Sequence, residues 1–79
     1  MNKVIKFRPN SKTYFELAEE KYEEGALESA VYYFYQSYKK NKDVDSLIAL
    51  GETYCDMGQP EEGLRYLFLA LDKEPGDIE

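Results

Sequence analysis

Apolar residues recur along most of this chain at spacings of three and four, the period of an amphipathic helix, and the recurrence breaks at three places. Tyr14, Leu17, Ala18 and Lys21/Tyr22 form the first series, with Glu16, Glu19, Glu20, Glu23 and Glu24 between them. Asn10, Ser11 or Thr13 can cap this helix, and Thr13 with Glu16 has capping-box spacing. Gly25 ends it. A second helix is predicted from near Ala26 or Leu27 to about Lys40, with Leu27, Ala30, Val31, Phe34 and Tyr38 on its core face. Lys39, Lys40 and Lys42 suit the negative end of its dipole. After the break "NKDVD" a third helix is predicted from about Val44, with Leu47, Leu50, Gly51 and Tyr54 on one face and Gly58 as its stop. Pro60 stands where a first helical residue belongs, followed by Glu61 and Glu62 in the favourable first turn. Leu64, Leu67, Ala70 and Leu71 carry this fourth helix on to "EPGD". Residues 1–10 fall outside the pattern: "KVIKF" reads as extended, and Pro9 disfavours helix at Arg8.

The two halves repeat. Leu17 and Leu50 are 33 residues apart, as are Ala18 and Gly51, Gly25 and Gly58, Ala30 and Gly63, Phe34 and Leu67, and Ser37 and Ala70. Helix, glycine turn, helix therefore occurs twice in register. A two-helix unit of this period resembles the tetratricopeptide repeat. The resemblance is closest in "LIALGETYCDMGQPEEGLRYLFLALDKEPGD", where Leu47, Leu50, Gly51, Tyr54, Gly58, Ala70 and Pro75 stand at signature positions and Gly63 replaces the usual alanine. In the first half Tyr14, Leu17, Ala18, Gly25, Ala30 and Phe34 match. Lys21 takes the usual tyrosine's place and Ser37 that of an alanine. The expected fold is all-α: two helix-turn-helix repeats, four antiparallel helices, with an arm over 1–10, repeats over 11–43 and 44–76, and a tail over 77–79. Ala18, Ala30, Gly51 and Gly63 are expected to let paired helices approach closely.

The resemblance implies a concave groove lined by the first helix of each repeat. Its positions here are Lys12, Phe15, Glu16, Glu19, Tyr22 and Glu23, then Asp45, Ile48, Ala49, Glu52, Cys55 and Asp56. One subset of the family grips acidic chaperone tails with lysine, asparagine and arginine on this face. Phe15, Glu19 and Glu52 stand there instead, so an acidic tail is repelled. The expected partner is a protein or peptide with Lys or Arg beside aliphatic or aromatic side chains. Acidic residues on a helix are also simply a solvated face. The arm carries Lys3, Lys6 and Arg8 and no acid. It is read either as a frayed terminus or as a segment lying against the acidic groove.

The stretch "AVYYFYQSYK" poses a second question, because Tyr32, Tyr33, Phe34, Tyr35 and Tyr38 point several ways. The resemblance implies that Tyr33 and Phe34 pack between helices and that Tyr38 seals the end of the interface. Tyr32 and Tyr35 are in excess, three apart and hence on one side. Phe68 stands at the position matching Tyr35. The plain reading is surface tyrosines wrapping their own helix. The sharper one is self-association through Tyr32, Tyr35, Leu64, Phe68 and Leu71. Two repeats without a polar-faced final helix leave the last helix with a side to cover. A homodimer, continuation of the repeats in a longer protein, or the arm would each cover it, and the homodimer is the favoured expectation.

Composition narrows the function. The chain has 79 residues, a net charge of −6 and no histidine. That acidity disfavours nucleic acid and anionic membranes. Without histidine there is no Ser-His triad or imidazole metal site. Cys55 is the only cysteine, too few for a zinc site or an internal disulfide. No window approaches the roughly 18 apolar residues of a membrane span, and "MNKVIKF" lacks an apolar run of signal-peptide length. A cytoplasmic binding protein without catalytic residues, metal or cofactor is expected. Its alternative is a structural self-association unit.

Overall fold

The computed structural model describes residues 12–73. The basic arm, the "EPGD" stop and the tail lie outside the described residues, as does the reading of the arm as a groove ligand. Four helices follow one another: α1 Tyr14–Glu24, α2 Leu27–Asn41, α3 Val44–Asp56 and α4 Pro60–Lys73. No strand occurs among the described residues. Each helix packs on the next, so the all-α fold is a pair of helix-turn-helix units laid side by side.

Local chemistry sets the boundaries. Thr13 caps α1 in a full capping box: its side chain accepts from the Glu16 N–H at 3.1 Å, and the Glu16 carboxylate accepts from the Thr13 N–H at 3.1 Å. Asp43 caps α3 by accepting from the Ser46 N–H at 3.1 Å. The turns inside the two hairpins need a left-handed residue, and glycine supplies it twice, with φ 87° at Gly25 and 81° at Gly58. Between the hairpins the same conformation is taken by Lys42, at φ 53°. Its N–H satisfies the Tyr38 carbonyl, and its ammonium lies 5.4 Å from the Tyr38 ring centre.

The core runs through the middle of the stack. Ala18, Ala30, Leu47 and Leu50 are fully buried, and Phe34 and Ala70 nearly so. Burying each leucine is worth about 1.5–3 kcal/mol. Glycine at 51 and 63 is a matter of space. A Cβ on Gly63 would sit 2.6 Å from the Gly51 carbonyl oxygen and 2.7 Å from Cys55 Sγ. A Cβ on Gly51 would meet Leu67 at 2.6 Å. The backbones of α3 and α4 therefore touch. Ser37 is also buried, with its hydroxyl 2.8 Å from that of Ser46, which lies 2.9 Å from the Asp43 carboxylate. With one proton per hydroxyl, Ser46 donates to Asp43 and accepts from Ser37. This chain ties α2 to the start of α3 and leaves no hydroxyl orphaned.

The last helix has the uncovered side expected of it. Ala70 is buried and Leu67 half-buried, but Leu64 and Leu71 stand 47% and 58% exposed. They share the helical period, yet no described element covers their side of α4. Leu27, Val31 and Tyr38 on α2 are half-buried rather than buried.

Candidate functional site

α1 and α3 present their free faces to one hollow. Each carries a stripe of packing residues (Leu17 and Ala18 on α1, Leu47 and Leu50 on α3), and the opposite stripe is left over. Between them lies a groove of about 450 Å³ lined by Phe15, Glu19, Tyr22, Glu23, Phe34, Asp45, Ile48, Ala49, Glu52 and Thr53. Its apolar floor comes from Phe15, Phe34, Ile48 and Ala49. Phe15 meets Phe34 edge to face, ring centres 5.2 Å apart and planes at 67°, a geometry that matches ring edge to ring face. Thr53 is buried and silent, its hydroxyl donating to the Ala49 carbonyl at 2.7 Å.

The walls are acidic. Glu19, Glu23, Asp45 and Glu52 line the groove, and among the described residues no lysine or arginine does. The nearby cations are engaged elsewhere, Lys12 with Glu20 and Lys21 with Glu24. Four carboxylates over an apolar floor make a negative potential that a guanidinium or ammonium relieves. Tyr22 closes one end, its hydroxyl donating to the Asp56 carboxylate and bridging α1 to α3. That hydrogen bond is the main reason the Tyr22 phenol titrates above its ordinary value, with burial and the charges of Asp56 and Glu52 adding to it.

Of the groove residues expected from the sequence, Phe15, Glu19, Tyr22, Glu23, Ile48 and Glu52 line the same hollow, as do Asp45 and Ala49. Four others do not. Glu16 turns back to cap its own helix. Lys12 sits at the outer end of α1 beside Tyr14, Leu17, Lys40 and Asn41. Cys55 points at the α3–α4 seam, against Gly63. Asp56 stands just beyond the rim and acts through Tyr22. Sequence reasoning missed Phe34 and Thr53 as floor. Phe34 belongs to the second helix and was assigned wholly to the core, yet its ring lies under the gap between two first helices.

The residues expected to drive self-association fall into two places. Tyr32 is 57% exposed and rests edge-on against Tyr33, while Tyr35 lies under Lys39 and faces a hollow shared with Val31, Tyr54 and Tyr66. Leu64, Phe68 and Leu71 are exposed on α4. Tyr66 and Phe68, two residues apart, point about 200° apart around the helix, so the Tyr35 hollow and the Phe68 surface are on opposite sides of α4. The five residues do not form one patch.

Among the described residues no three histidine, cysteine or acidic side chains are grouped to hold a metal ion, and no helix is long and apolar enough to cross a membrane. Comparison with family models, with curated proteins and with solved structures finds no match.

Proposed function

We propose that this chain is a protein-interaction module of tetratricopeptide type whose groove receives an extended segment carrying Lys or Arg beside aliphatic or aromatic residues. The observation that carries the proposal is the groove itself: four carboxylates, with no lysine or arginine among the described lining residues, set around the Phe15–Phe34 floor. An apolar floor anchors a side chain, and the acidic walls select the charge of its neighbours. The repeat reading is supported by two hairpins in register, with Gly25 and Gly58 at matching turns and with Ala18/Ala30 and Gly51/Gly63, at matching positions, all buried. The module binds and does not catalyse, in a reducing cytoplasmic setting that suits the exposed thiol of Cys55.

Fluorescence polarisation with a short labelled peptide alternating lysine with leucine tests this. Binding should weaken with added salt and fall at least about tenfold on Glu19→Lys with Glu52→Lys. The same peptide with glutamate for lysine should not bind. Equal affinity for both peptides, or no effect of the charge reversal, refutes the proposal.

A further inference from the structure

Beyond the groove, α4 carries a stripe that the described elements cover only at Leu67, half-buried over Gly51. Leu64, Leu67, Phe68 and Leu71 recur at i, i+3, i+4 and i+7, the spacing of a helix face that packs. Yet Leu64 is 47%, Phe68 63% and Leu71 58% exposed. The matching residues of the first hairpin, 33 positions earlier, are Val31, Tyr35 and Tyr38. Those border α3, with Val31 and Tyr38 half-buried and Tyr35 sharing a hollow with Leu50 and Tyr54. Of the three matched pairs, Val31 and Tyr38 are half-buried where Leu64 and Leu71 are exposed, and Tyr35 is 41% exposed where Phe68 is 63%.

The charges beside the stripe say what covers it. Arg65 follows Leu64 and Asp72 follows Leu71, seven residues on, so both lie on one flank of the stripe about two turns apart. Such a face is complementary to itself when reversed. Place two α4 helices antiparallel about a two-fold axis near Phe68. Leu64 then meets Leu71 of the second copy, Phe68 packs near the axis, and Arg65 meets Asp72 of the second copy, twice by symmetry. The Arg65 side chain is 73% exposed and holds Glu62 only at 3.9 Å, so it is free to reach outward. We infer that the chain forms a two-fold homodimer through antiparallel α4 helices. The surface is α4 alone; the Tyr32–Tyr35 side takes no part.

Sedimentation velocity over a dilution series, with circular dichroism to verify helicity, tests this. The wild-type chain should pass from dimer to monomer on dilution. Phe68→Asp should be monomeric with its helices intact. Arg65→Asp and Asp72→Arg each place two like-charge pairs across the axis, and each should weaken the dimer about tenfold or more. The double swap, Arg65→Asp with Asp72→Arg, should restore it. Tyr35→Glu should leave it unchanged. A monomer at every concentration overturns the inference. So does a dimer indifferent to either single swap, or one that the double swap does not rescue.

Discussion

The two hairpins place like residues at like positions and still pack differently. In the first, Ala18 and Ala30 are fully buried in one cluster with Phe34, against which Phe15 packs. In the second, both counterparts are glycine and the backbones touch, with Leu67 lying over Gly51. The first helices of the two hairpins also differ in place, α1 standing at the end of the stack and α3 inside it. α3 is pressed by α2 on one side and α4 on the other, so Leu47 and Leu50 are fully buried while Leu17, the counterpart of Leu50, is half-buried. A repeated sequence thus fixes the shape of the unit, and its place in the stack fixes how much each residue matters.

The comparison is broken or sharpened most strongly at that leucine pair. Leu50→Ala should cost about 2–5 kcal/mol, because α2, α3 and α4 all lose contacts around the hole. Leu17→Ala should cost about half as much. Equal losses in urea denaturation would mean that position in the stack does not matter. Next come the glycines. Gly63→Ala adds a methyl 2.6 Å from the Gly51 carbonyl oxygen, an overpacking cost of about 1–3 kcal/mol. The better helix propensity of alanine offsets up to about 1 kcal/mol of that. The reverse change in the first hairpin, Ala30→Gly, should also destabilise, here by losing propensity and packing. If either exchange is neutral in urea midpoint, the two approaches are equivalent after all.

Much of this was legible in the sequence. The period of apolar residues placed all four helices, and Thr13–Glu16, Gly25, Gly58 and Pro60 marked ends the structure reproduces. The groove was legible wherever a side chain belonged to the free face of a first helix. It failed where a residue had two uses. Glu16 was equally fit to be a wall or a cap, and the unpaired Thr13 N–H claimed it. Cys55 leans toward the seam beside Gly63 while staying exposed. Leu64 and Leu71 share the period of the buried Ala70, and their exposure fits the expectation that the last helix has a side to cover. Tyr32 and Tyr35 were grouped with Leu64, Phe68 and Leu71, because residue spacing gives the side of a helix but not which helix stands opposite.

Smaller effects sharpen the contrast at the turns. The turns inside the hairpins have glycine in the left-handed conformation, whereas the one between them has Lys42. Lys42→Gly should stabilise by about 0.5 kcal/mol, the relief of the Cβ conflict less the loss of the contact with Tyr38. A destabilisation in thermal melts would show that contact to be the stronger. The smallest effect concerns pH. Tyr22 reaches from the first hairpin to Asp56 of the second, while its counterpart, Cys55, lies beside Gly63 in its own hairpin. The Tyr22 pKa is raised above 10.0 in the fold. The hydrogen bond therefore contributes fully below the unfolded value and is lost as pH climbs through the raised one. Stability should decline above about pH 10 more steeply in the native chain than in Tyr22→Phe, as followed by helicity against pH.

The central claim is that the second hairpin completes, with the first, one acidic hollow for a basic segment. Backbone amide shifts in a nitrogen-15 NMR titration with the lysine–leucine peptide test it most directly. The account predicts saturable shifts concentrated at Phe15, Glu19, Glu23, Ile48 and Glu52, on both hairpins at once. Shifts confined to one hairpin, or centred on Tyr32, Tyr35 and Phe68, would contradict it.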